Sequence, residues 1–171
     1  MVEESKGARI IPDQALTVAN EPYEAELSSE NAALYALSIG IQSDPMETKD
    51  LKFTYEDDRN FQVYPTNALA LAHRGVTDFG RLGENLDDYN PMLMLHGEEA
   101  VTFIKQLVAD RTYVCAERVI DVQDKKMGCL LKTETTISDK ETGEAHAKVV
   151  TGLMLRKLGG FGFKGKSKDK I

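Results

Sequence analysis

What this chain lacks narrows its possible roles before anything it contains does. No apolar run in its 171 residues approaches the roughly 18 that a membrane-spanning helix needs. The opening Met1-Val2-Glu3-Glu4-Ser5-Lys6 holds no apolar stretch of the kind a secretory leader carries. The closing Lys168-Asp169-Lys170-Ile171 is not a peroxisomal address of the Ser-Lys-Leu kind, so either the chain is not targeted by itself or its natural C-terminus lies elsewhere. Cysteine is limited to Cys115 and Cys129, both on apolar stretches and neither with a second Cys or His at ligand spacing. We expect free buried thiols in a reduced compartment, not a disulfide, and no metal site. There is no Ser-His-Asp set and no phosphate-binding loop. Gly159, Gly160 and Gly162 follow a strand but open no apolar helix, so they make no dinucleotide fingerprint.

What remains is a soluble, globular composition, 42% hydrophobic and 29% charged, at a length that suits one domain with a real core. Its charge is uneven. Residues 156–171 carry six basic side chains and one acidic, leaving −12 on the rest of a chain whose total is −7. A domain this acidic is a poor nucleic-acid binder. The basic tail could meet a polyanion such as a phosphate group, but its glycines at 159, 160, 162 and 165 read more simply as a solvated linker.

Along the chain, residues 1–27 mix Pro12, Pro22, Asp13 and glutamates without periodicity, which predicts an extended arm. Ser28 or Ser29 offers an N-cap with Glu30 in the first turn; Ala33, Leu34, Leu37 and Ile41 form an apolar stripe, and Gly40 is a stop. A short strand is expected over 51–55. Pro65-Thr66-Asn67 opens a second helix, capped by Thr66 or Asn67, whose Ala68-Leu69-Ala70-Leu71-Ala72 is apolar all round and calls for burial on every side. Residues 75–91, rich in glycine and charge, read as a long loop.

From residue 92 the pattern turns to strands: 92–98, 100–108, 113–122, 129–137 and 145–155. In the last two, Leu131, Thr133, Thr135 and Ile137 oppose Lys132, Glu134 and Thr136, while Ala145, Ala147, Val149, Leu153 and Leu155 oppose His146, Lys148 and Gly152. Turn-like segments at 124–128 and 139–143 join the last three strands into an antiparallel meander. A buried apolar helix followed by long antiparallel strands predicts an α+β hot-dog fold, the sheet wrapped around the central helix. The expected divisions are an arm at 1–27, the hot-dog domain at 28–158 and a Gly/Lys-rich linker at 159–171.

Four stretches, in order, carry a family resemblance. Ala33-Leu34-Tyr35-Ala36-Leu37-Ser38-Ile39-Gly40, Asp50-Leu51-Lys52-Phe53-Thr54-Tyr55-Glu56, Leu95-His96-Gly97-Glu98 and Gly159-Gly160-Phe161-Gly162 resemble segments of the N-terminal hot-dog repeat of (3R)-specific 2-enoyl-CoA hydratases of the hydratase 2 type. These MaoC-like enzymes form the hydratase unit of peroxisomal multifunctional enzyme type 2. The resemblance implies that this chain is the acyl-CoA-binding half of such a hydratase in peroxisomal β-oxidation. It also implies a second repeat, joined through the linker, that supplies an Asp-x-Asn-Pro-x-His motif. The CoA thioester would be substrate and no cofactor would be needed. Partners would be acyl-CoA, that catalytic repeat and further copies of the chain, with no nucleic acid and no membrane.

The residues agree with a non-catalytic half. Where the catalytic repeat places Asp, Asn and His, this chain reads Ile39-Gly40-Ile41-Gln42-Ser43-Asp44-Pro45, and no histidine precedes His73. Hydration needs a base to take a proton from water and an acid to protonate carbon. Asp44 alone reads as an Asp-Pro turn. By pattern, His73 is a capping or core histidine and His146 an exposed one. His96 stands beside Gly97, where a missing side chain lets backbone approach a ligand. The resemblance assigns His96, Gly97 and Lys125 to substrate binding, Lys125 lying 29 residues after His96 as a point charge for phosphate, although Lys126-Met127 departs from the small residue expected next. Two other readings stay open: a stand-alone hot-dog module that binds acyl chains or assembles without activity, and a thioesterase of the same fold.

Overall fold

The computed structural model describes residues 8–75, 79–86 and 89–166. Residues 1–7, 76–78, 87–88 and 167–171, and with them the two terminal segments and part of the 75–91 loop read above, lie outside the described residues. In chain order the elements are β1 (Arg9–Ile10), α1 (Pro12–Ala15), β2 (Tyr23–Leu27), α2 (Ser29–Ser38), α3 (Leu51–Thr54), α4 (Asn67–Ala72), β3 (Gly83–Glu84), β4 (Met94–Phe103), β5 (Arg111–Asp124), β6 (Gly128–Asp139) and β7 (Ala145–Arg156). Five strands form one antiparallel sheet in the order β2-β5-β6-β7-β4, and β1 pairs separately with β3. Among the described residues no helix is long and apolar enough to cross a membrane.

The meander forms where the turn chemistry puts it. Asp139 Oδ1 accepts the N–H groups of Glu141 and Thr142, both at 2.9 Å, and Gly143 takes the left-handed φ of +72° that closes the β6–β7 turn. At the β5–β6 turn Lys125 N donates to Gly128 O at 2.9 Å. Lys126 there holds a left-handed φ of +65° without being glycine.

α4 sits against β6 and β7 at the centre of one apolar cluster, with Leu71 and Ala68 wholly buried beside Leu27, Tyr113, Ile137 and Val149. This is the antiparallel sheet about an apolar helix that the sequence predicts, α+β in class. The helix is short, six residues, and Thr66 does not cap it. The Thr66 Oγ1 instead accepts the Tyr35 hydroxyl at 3.0 Å. A second cluster, built from Ile10, Ala15, Val18, Leu82, Leu131 and Leu155, lies under the N-terminal segment.

The structure departs from expectation at several points. The segment 1–27 is not an extended arm over its described part: β2 is an edge strand of the main sheet, and Ile10, Ala15 and Val18 are buried. Leu51–Thr54 is a helical turn, not a strand, because it packs on α2 away from any open sheet edge; a short apolar run does not fix its own period. The two strands read over 92–98 and 100–108 are one, β4, with a register shift between His96 and Glu98. One extra residue reverses the inside-outside alternation, which in sequence looks like a break. β4 ends at Phe103 because the N–H groups of Ile104 and Lys105 both turn to the His146 carbonyl.

Burial corrects three further readings. On α2 the covered face is Ala32, Ala33 and Ala36, while Leu34 and Leu37 are exposed. The small residues let α2 approach α3 and α4, and that leaves the leucines outside. His146 is buried, not exposed: residues 104–108 cover it, its Nδ1 lies 2.8 Å from Gln106 O, and its ring meets Tyr113 edge-on. His73 is the C-cap of α4, one of its two expected roles, and is half-exposed instead of lying in the core.

The glycine-rich tail is bound over its described part. Asp124 accepts N–H bonds from Gly160 and Gly162, Asp121 accepts one from Lys166, and Asp124 N donates to Phe163 O. The same bonds, Gly160 and Gly162 first, hold the Asp124 carboxyl below its usual range. Cys115 and Cys129 are free and buried, as expected.

Candidate functional site

In a regular strand, residues three apart point to opposite faces. The β4 bulge at Gly97 removes that parity, so His96 and Glu99 meet. Opposite the bulge, Gly152 makes room for Glu98, since a Cβ at Gly152 would come within 3.0 Å of the Glu98 Cβ. Gly97 itself is not demanded by crowding: its added Cβ would lie 3.5 Å from Gly152 O, an ordinary contact. Its effect is to leave the backbone open beside His96.

Glu99 is the centre of the arrangement. Its Oε2 lies 2.5 Å from His96 Nε2, and its Oε1 lies 3.4 Å from His73 Nε2 and accepts the Thr151 hydroxyl at 3.1 Å. His96 Nε2 also faces Glu98 O at 3.2 Å. Two acceptors around one ring nitrogen place a hydrogen on Nε2. The Glu99 Oε2 contact is short but poorly aligned for a hydrogen bond, so this buried oxygen keeps unused acceptor capacity. The two imidazoles stand 5.9 Å apart, edge to face.

These groups open into a cavity of about 340 Å³ walled by His73, His96, Met94, Thr133, Thr135, Thr151 and Leu153, with Glu117 at its edge. On the other face of β6 from Thr133 and Thr135, Lys132, expected on the polar face, is buried and pairs with Glu98 Oε2 at 3.0 Å. A separate cavity of about 380 Å³, walled by Phe53, Val63, Pro65, Phe103, Ile104 and Leu107, is more apolar.

Of the residues singled out in the sequence, His96 and Gly97 lie together at the bulge, His96 on the cavity wall. Lys125 is elsewhere, exposed on the β5–β6 turn. Counting two strand spacings and three residues of rise, that turn lies roughly 15 Å from His96. Asp44 makes a local turn, its Oδ1 accepting Met46 N at 2.9 Å. Sequence reasoning missed Glu99, His73 and Thr151 as neighbours of His96. The available signal was Gly97 itself, since a glycine inside a strand often marks a bulge. Among the described residues, no group of three or more His, Cys, Asp or Glu could hold a metal ion.

A model of the family described as MFE-2 hydratase 2 N-terminal domain matches residues 26–157. The probable enoyl-CoA hydratase 2 of Dictyostelium discoideum is 30% identical over 144 residues, which cover 83% of this chain and 47% of that protein. The crystal structure of a MaoC-like dehydratase from Phytophthora capsici superposes with a TM-score of 0.72 at 29% identity, over 93% of this chain and 53% of that one. Full-length peroxisomal multifunctional enzyme type 2 from Drosophila melanogaster gives a TM-score of 0.62 at 26% identity, over 84% of this chain and 24% of that one. The chain thus spans about half the length, or less, of the proteins it matches.

Proposed function

Because the chain belongs to the family of MFE-2 hydratase 2 N-terminal domains, we propose that it is the acyl-CoA-binding half of a (3R)-specific trans-2-enoyl-CoA hydratase of peroxisomal β-oxidation. A second hot-dog repeat would supply the catalytic Asp and His. The observation that carries this reading is the β4 bulge, which sets His96, with Gly97 next to it, on the wall of a cavity also lined by Thr133, Thr135 and Thr151. His96 Nδ1 and open backbone groups suit the amide-rich arm of a CoA thioester. Asp44, in the segment where the catalytic motif would stand, supports the division of labour, for its carboxylate is occupied in a turn. The CoA thioester is substrate, and the reaction needs no cofactor.

One observation favours a second reading. Glu99 backs His96 as a carboxylate backs a general base, so acid–base work within this chain is chemically available. The assay that separates the two is hydration of crotonyl-CoA and decenoyl-CoA by the purified chain. We expect no turnover alone, and turnover once an Asp-x-Asn-Pro-x-His repeat is joined to it. Steady-state turnover by the chain alone, abolished by His96→Ala, would overturn the first reading in favour of the second.

A further inference from the structure

The inner face of the main sheet changes character in its middle. At one end it belongs to the apolar cluster around α4, through Cys115 on β5, Ile137 on β6, Val149 on β7 and Val101 on β4. At the other it belongs to the cluster under the N-terminal segment, through Val119, Leu131, Leu155 and Met94 on the same four strands. Between the two clusters each of these strands turns a polar residue inward: Glu117 on β5, Thr133 and Thr135 on β6, Thr151 on β7 and Glu99 on β4. The registers set them side by side. Glu117 stands opposite Thr135, and Thr151 lies between Thr133 and Glu99. α4 ends with Ala72 at the cavity wall, and the cavity bordered by His73 and His96 lies over this belt.

A belt of this kind costs stability unless a partner meets it. Valine has the branched shape of threonine, and a buried hydroxyl without a partner is unfavourable where a methyl is not. Thr133 and Thr135 are each 3% exposed, and their hydroxyls make no hydrogen bond among the described residues. Both line the cavity, and neither oxygen is sealed away from it. Thr151 donates to Glu99 Oε1 at 3.1 Å and keeps lone pairs to offer. Glu117 Oε1 accepts Asn20 Nδ2 at 3.0 Å, so two carboxylates flank the threonines. No lysine or arginine is among the described residues that line the cavity. The space suits an uncharged group that both donates and accepts, which is a hydroxyl, and it repels a carboxylate.

We propose that the belt selects the acyl group: the cavity takes an acyl chain that carries a hydroxyl, and Thr133 and Thr135 are the specificity-determining residues that bind it. The inference rests on the acyl-CoA reading given above and names the class of thioester within it. At about 340 Å³ the cavity holds on the order of ten water-sized groups of roughly 30 Å³ each, which matches a chain of medium length. Counting two strand spacings and two residues of rise, Thr133 lies roughly 12 Å from His96. With the CoA arm at His96, the hydroxyl that reaches the belt is one far from the thioester.

The test is calorimetric titration of the 171-residue chain with three thioesters of equal chain length: decanoyl-CoA, 10-hydroxydecanoyl-CoA and the mono-CoA thioester of decanedioic acid. The wild type should bind the hydroxylated chain about tenfold more tightly than the plain one, and the carboxylated chain most weakly. Thr133→Val/Thr135→Val keeps the side-chain shape and should abolish the preference for the hydroxyl, losing affinity for 10-hydroxydecanoyl-CoA while binding decanoyl-CoA at least as well. Without ligand that variant should melt no lower than the wild type, whereas a structural role for the two hydroxyls would lower its midpoint. Equal wild-type affinity for the plain and hydroxylated chains, or a preference that survives the double variant, would overturn the inference and leave the acyl-CoA reading standing. The wild-type ranking decides even without a folded variant. If the wild type binds none of the three thioesters, the acyl-CoA reading itself falls and takes this inference with it.

Discussion

Single side chains show how far environment overrides residue type here. Burial pushes the Cys115 thiol up to about 11 and the Cys129 thiol up to about 12. A thiol attacks as its thiolate. Both should therefore resist Ellman's reagent at pH 8 in the native chain and react together once urea unfolds it; prompt reaction of either in the native chain would refute this. Asp139 moves the other way, from 3.8 down to about 2, held by the Thr142 N–H and then by Arg111. Its folded value lies below its unfolded one, so its stabilisation is complete above about pH 4 and is lost as pH falls toward 2. Asp139→Asn should flatten the acid limb of a denaturation-midpoint-versus-pH curve in that window, and an unchanged limb would mean other carboxylates control it. His96 and Gly97 were legible as a pair because they adjoin in sequence. Glu99 was not, because strand parity puts it on the wrong face until a bulge is allowed.

Elements were legible where local chemistry decided them and obscure where packing did. The α2 start and stop were both plain. Ser28 accepts Asn31 N at 3.1 Å, and beyond the helix Gly40, at φ +89°, donates to Leu37 O while Ile41 N reaches back to Ala36 O. That closure needs a residue free to take left-handed φ. Gly40→Ala should cost about 1 kcal/mol in urea denaturation. No loss would show that the turn can be closed another way. The meander was equally clear from its turns and alternation. Which face of α2 is covered was not, because alanines and leucines both score as apolar and only the closeness of α3 and α4 chooses between them. The helical turn at 51–54 was lost for a related reason, being too short to show a period.

As a whole molecule the chain leaves apolar surface uncovered. Leu34 and Leu37 on α2, and Leu95, Phe103 and Ile104 on and beyond edge strand β4, are each about half exposed or more. An unpaired sheet edge beside such residues is a surface for association. The chain by itself should sediment as a dimer at tens of micromolar, and a monodisperse species near 19 kDa would contradict that. Addition of a catalytic repeat should compete with self-association if both use this face.

The sheet order β2-β5-β6-β7-β4 also sets a timetable. The two outermost strands are made first, yet each must wait for a partner encoded far downstream: β2 for β5, and β4 for β7. Only the β5–β6–β7 meander can close by short loops, so it is the part able to form early, when loop-closure entropy is smallest. On a ribosome adding about 5–20 residues per second, β2 and β4 spend seconds as unpaired strands. The kinetic signature should be polarised. Ile137→Val, inside the meander, should slow refolding in a stopped-flow chevron, whereas Val101→Ala on β4 should chiefly speed unfolding. If both act on the same limb, the outer strands are already in place at the barrier. Otherwise the chain's most exposed moment comes before it is finished, when the strand that carries His96 has been synthesised and has nothing yet to pair with.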